Sequence, residues 1–154
     1  MKQVLTVFSA LLLAGLCTTA AMAAEHSVPC KTLPTAVQTK SKDVVGSGTV
    51  HNCVKDVSGG KTTYEMETML GGRSKDITFD ETGNVLEVEQ QVEASELPAP
   101  VASAFQKAAE GGSMGKIESL TRGDKVVSYE GVVTHHGKRS EIAFRPDGSS
   151  MKAD

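Results

Sequence analysis

The sequence predicts an α+β fold of two tandem repeats, each one helix packed on an antiparallel sheet of about four strands. Three observations predict it. Residues 62 to 92 alternate apolar and acidic side chains between turn signals, the period of a strand with one covered face. The pattern returns from Ser128 to Lys152 at an offset of 65 residues, which sets Tyr64 on Tyr129, Glu65 on Glu130, Gly72 on Gly137, Phe79 on Phe144 and Gly83 on Gly148. A Leu-Pro pair precedes each sheet, at Leu33-Pro34 and again 64 residues on at Leu97-Pro98.

Residues 1–23 have the parts of a secretory signal: a basic start at Lys2, an apolar run from Val4 to Leu16, and small residues leading to Ala21-Met22-Ala23. The run is too short to cross a bilayer. Lipid attachment at Cys17 is the competing reading, but Leu16 stands where that processing wants a small residue. Cleavage after Ala23 gives a mature chain starting Ala24-Glu25-His26. Its free amine, two deprotonated amides and third-position imidazole have the chemistry to wrap Cu(II) or Ni(II) in a square plane.

Residues 24–32 read as an N-terminal connector. They carry Cys30, which with Cys53 makes the two cysteines of a chain addressed to an oxidising compartment, so a disulfide is expected. A two-Cys, two-His metal site with His26 and His51 ranks below it, because His51-x-Cys53 is tighter than usual zinc spacing.

The first unit spans 33–94. Pro34 suits the first turn of a helix, although Thr39, Ser41 and Asp43 interrupt the apolar spacing before Gly46. A strand follows from Thr49 to Val57, then a Ser58-Gly59-Gly60 turn and two hairpins. In these, Tyr64, Met66, Ile77, Phe79, Leu86 and Val88 make an apolar face, and Glu65, Glu67, Asp76, Thr78, Glu87 and Glu89 the opposite one.

The second unit spans 95–154. Its helix has the i, i+3, i+4, i+7 stripe Val101, Ala104, Phe105 and Ala108, stopped by Gly111-Gly112. A strand from Lys116 to Thr121 leads into the second copy of the hairpins. Val101 and Phe105 are the expected plug against Tyr129, Ile142 and Phe144.

Charge is unevenly divided. From Ala24 to Glu96 there are 7 Lys and Arg against 12 Asp and Glu; from Leu97 onward, 8 against 7. With no basic patch and few aromatics, nucleic acid is excluded as the expected partner. Glu65, Glu67, Glu87 and Glu89 are the candidate residues for docking a cationic protein, a role that the second copy, with Val132 and Ala143 on its face, would not share. Catalysis would need a nucleophile served by a His base. His26, His51, His135 and His136 lie in no such motif, and His135-His136 reads as a solvated turn, so no enzyme is expected.

The run Leu-Pro-x-x-Val-x-x-Ala-Phe from Leu97 to Phe105, the Tyr129-Glu130 strand, the Gly137-Lys138 hairpin and Phe-x-x-Asp-Gly from Phe144 to Gly148 resemble the PepSY-like, beta-lactamase-inhibitor-like family of small exported bacterial proteins. The resemblance covers residues 62 to 154 in both copies and marks turns and core positions. It implies tandem helix-plus-four-strand units, export to the periplasm or beyond, and non-catalytic binding of a protein, such as restraint of a peptidase. Metal handling or envelope stress is the alternative. The family offers no catalytic residue to carry over.

Overall fold

The structure, a computed structural model, describes residues 25–151; the expected signal segment and Ala24 lie outside the described residues. The chain begins with a two-residue strand, β1 (His26–Ser27), and a 3₁₀ turn (Cys30–Thr32). Helix α1 (Thr35–Val45) precedes β2 (Thr49–Ser58), β3 (Lys61–Leu70), β4 (Arg73–Asp80) and β5 (Val85–Val92). A second 3₁₀ turn (Ala94–Glu96) and helix α2 (Ala99–Ala108) precede β6 (Ser113–Arg122), β7 (Lys125–His135), β8 (Lys138–Phe144) and β9 (Ser150–Met151).

The expected fold of two tandem repeats, each one helix packed on an antiparallel sheet of about four strands, is corrected here. All the strands form one nine-stranded sheet in sequential order, with every neighbouring pair antiparallel. The join is β5 against β6, where Val88 to Val92 pair with Thr121 to Ile117. A strand edge left bare exposes a row of unpaired N–H and C=O groups. Pairing β5 with β6 removes two such edges at once, and the continuous sheet follows.

Both helices lie on one face of this sheet. Register partners run Lys75, Gln90, Ser119, Tyr129, Phe144 across β4 to β8, so these side chains share a face. At one end of the row Lys75 Nζ donates to the Val44 carbonyl of α1, at 2.7 Å. At the other, the Phe144 ring meets Phe105 of α2 edge to face, centroids 4.9 Å apart.

Each helix covers its own core. Under α1, its Val37 and Val45 pack with Leu33, Cys53, Tyr64, Met66, Ile77 and Phe79; under α2, its Val101 and Phe105 pack with Ile117 and Phe144, flanked by Tyr129 and Ile142 as the sequence led us to expect. Helix α1 forms despite its interrupted stripe because Val37, Ser41 and Val45 recur every four residues, and the buried Ser41 hydroxyl donates to the Gln38 carbonyl at 3.1 Å. Leu86 departs from expectation and is exposed. A bulge between Thr78 and Phe79 puts Val85 opposite Phe79 and leaves Leu86 as the extra residue.

Two turns are fitted to the helices. Gly83 has φ +83°, and a Cβ there would lie 2.7 Å from the Ala36 carbonyl oxygen; Gly148 has φ +82° and the same 2.7 Å clearance to the Pro100 carbonyl oxygen. Glycine is required on both counts. The Cys30–Cys53 disulfide, Cα atoms 5.3 Å apart, ties the first 3₁₀ turn to β2. Both sulfurs are used in it, which closes the two-Cys, two-His alternative.

Candidate functional site

The face without helices carries the acidic side chains. One row of register partners runs Asn52, Glu67, Asp76, Glu89, Leu120, and the row beside it Val54, Glu65, Thr78, Glu87. The four predicted docking residues Glu65, Glu67, Glu87 and Glu89 thus share one face, placed there by the two-residue period of β3 and β5.

The face does not end with the first half of the chain, to which the docking role was assigned. Because β5 pairs with β6, Glu118 comes beside Asp76 and Glu89, with carboxylate oxygens of the three within 4.8 Å of one another. Glu130 stands opposite Glu118 on β7. The alternation of Lys116, Glu118 and Leu120 was visible in the sequence, but the strand that Glu118 would meet was not. Asp56 was also missed, and Glu25 was named only for the N-terminal metal site. With Glu65, Asp76, Glu87 and Glu89 they line a cavity of about 190 Å³, in which Asp56 Oδ1 is buried without a hydrogen-bond partner among the described residues.

Compensation on this face is partial. Lys116 Nζ lies 2.7 Å from Glu118 Oε1, and Arg122 pairs with Glu87. Asn52 Nδ2 donates to Glu67 Oε1 at 3.0 Å, and the Thr68 N–H donates to Asp76 at 3.3 Å. Burial, then the charges of Glu118, Glu87, Glu65 and Glu130, push the Glu89 carboxyl up to about 7. Burial, followed by Asp76, Glu67, Glu25 and Glu87, also raises Glu65; burial raises Asp76, partly opposed by the bond from Thr68. Chemically, such a face attracts cations and exchanges protons near neutrality.

Of the N-terminal metal candidates, Glu25 lines the acidic cavity, His26 sits in β1 opposite Lys55, and Ala24 is outside the described residues. His135 and His136 fall at the β7–β8 turn, where His136 has φ +50° and His135 Nε2 is 3.2 Å from the Glu110 carbonyl oxygen.

A pH dependence follows. A carboxyl whose folded pKa is raised destabilises the fold once ionised: for Glu89 the effect is absent below its ordinary 4.5, grows as pH rises, and is complete above about 7. Asp80 acts oppositely. Hydrogen bonds from the Thr82 and Asn84 side chains lower it from 3.8 to about 2, so its contribution is complete above 3.8 and is lost as pH falls toward 2. The melting temperature is therefore expected to peak near pH ~4.5 and decline toward pH ~8. Glu89→Gln should recover about 1–2 kcal/mol at pH ~8, the shift being discounted for the solvent that reaches this half-buried group. Calorimetry at the two pH values checks this; a wild type equally stable at both would contradict it.

No protein-family model matches the chain, and no curated protein matches it. Solved structures do. A protein from Bacteroides eggerthii provisionally described as periplasmic matches with a TM-score of 0.66 at 15% identity, covering 78% of this chain and 86% of that one. A DUF2874 family protein from Bacteroides ovatus matches with a TM-score of 0.62 at 16% identity, covering 79% and 86%. A BLIP-like protein from Bacteroides fragilis matches with a TM-score of 0.60 at 20% identity, covering 81% and 85%. At these identities the likeness is one of fold, and the fold is BLIP-like.

Proposed function

We propose that this chain is an exported, non-catalytic binding protein that docks a cationic segment of another envelope protein on the helix-free face of its sheet. The observation that carries the reading is the undercompensated carboxylate face: Glu65, Asp76, Glu87, Glu89 and Glu118 converge there, and among the described residues Lys116 and Arg122 are the cations ion-paired with them. Burial first, and then repulsion from the neighbouring carboxylates, holds Glu89 near 7, and a basic partner would relieve the second of these. Export is supported by the signal-like first 23 residues, by the Cys30–Cys53 disulfide and by a structural relative described as periplasmic. No helix among the described residues is long and apolar enough to cross a membrane. The partner's class is narrower still, a peptidase or other envelope protein held in check by the contact.

Affinity capture from envelope extract tests this. Capture should be strong at low salt and largely lost in about 0.5 M salt, where the screening length falls to roughly 4 Å. Glu87→Lys with Glu89→Lys should weaken it at least ~10-fold. Capture indifferent to both salt and charge reversal rules the face out.

A second reading has its own observation, the spacing of Asp76, Glu89 and Glu118, which would suit a hard divalent cation bound through oxygen. It requires that calcium raise the melting temperature of the wild type and not of Asp76→Asn. Calcium without effect on the wild type removes it.

A further inference from the structure

On the opposite face, beside α2, lies a cavity of about 320 Å³ whose lining, among the described residues, holds no charged side chain. Phe105 and Ile117, members of the α2 core, line it together with Leu97 and Met114. The reason it exists is legible in the chain. Ala94, Ala102 and Ala109 line it, and 64 residues earlier stand Cys30, Gln38 and Val45. In the first half Cys30 is in the disulfide, the Gln38 side chain donates to the Leu33 carbonyl at 2.8 Å, and Val45 is buried in the α1 core. Ile117 likewise corresponds to Cys53, the other half of that disulfide. The cavity is the volume that three alanines withhold beside α2 and that larger side chains fill beside α1.

We propose that this cavity is a binding site for a single-chain amphiphile, with an aliphatic tail of about eight carbons against Phe105, Met114 and Ile117 and a polar head at the mouth. Size sets the tail: the volume is roughly twice that of an engineered apolar cavity of about 150 Å³ that takes benzene. It also falls within the range of natural ligand sites, whose walls are mainly apolar with few polar groups. The mouth sets the head, because the cavity is open to solvent and its one amide side chain, Gln106, is exposed on α2. That amide can donate to a carboxylate or hydroxyl while the tail leaves water. The site is separate from the acidic face and does not rest on the docking role proposed for it.

The test uses sodium octanoate, below its micelle concentration, with the processed chain labelled at its methionine methyl groups. A saturable, single-site shift of the Met114 methyl resonance is expected. Ala102→Leu and Ala109→Leu, each adding bulk to the cavity, should weaken binding at least tenfold while leaving the melting temperature equal or higher. Three results would overturn the proposal: no saturation, undiminished affinity in both filled variants, or loss of binding on charge reversal at Glu87 and Glu89.

Discussion

Phe79→Ala is expected to lower stability by about 3–5 kcal/mol, the largest effect of any single substitution considered. Phe79 is wholly buried, and it pairs with Tyr64 on β3 and Val85 on β5 in the middle of the α1 core. The surrounding frame has little freedom to collapse into the space left behind. The bulge at Thr78 and Phe79 fixes the register on one side, and Gly83 is pressed against Ala36 just beyond it. A transfer term and a residual-void term should therefore both appear. In a domain of this size the change corresponds to a fall of roughly 10–20 °C in melting temperature. A variant that melts with the wild type would mean that the α1 core is not built around this ring.

Replacing Cys30 and Cys53 together by Ala should cost about 3–3.5 kcal/mol in the chain-entropy account of a loop closed over a separation of 23 residues. Alanine is the informative choice, since serine at the buried position 53 would add an unsatisfied hydroxyl. The effect should extend past stability. Beyond the two pairs His26–Lys55 and Ser27–Val54, the Val28 N–H bond to the Cys53 carbonyl and the disulfide fasten the first segment to the sheet. Without the disulfide β1 should fray and carry Glu25 away from Glu65, relieving one of the repulsions that raise the Glu65 carboxyl. Urea unfolding of the oxidised protein beside the double-alanine variant reads the stability, and equal midpoints would show that the bridge contributes nothing.

Some of this architecture was legible before the coordinates. The facing of Tyr64, Ile77 and Phe79 toward a helix, and of Glu65, Glu67, Glu87 and Glu89 away from it, follows from a period of two that no tertiary contact needed to correct. The covering of Tyr129 and Phe144 by Phe105 followed from the stripe on α2. What could not be read is what pairing between distant strands decides. Nothing in Val88 to Val92 says that their outer edge will take β6, so the pairing that brings Glu118 beside Asp76 and Glu89 could not be placed in advance. Leu86 was misplaced for a related reason: a bulge shifts the alternation by one residue, and its own side chain bears no mark of that shift. The acidic site was thus half visible, its β3 and β5 side chains in the sequence, its Asp56, Glu25 and Glu118 only in the ladder.

The sequential strand order has a consequence for how this chain acquires its shape. Each strand meets only the ones made just before and just after it, so no strand must wait for a partner synthesised much later. Local connectivity of this kind speeds folding, because little loop entropy is spent before contacts repay it. A polypeptide delivered end first, as through a translocation pore, can lay its sheet down progressively, and the disulfide can close once residue 53 has emerged, with most of the chain still to follow.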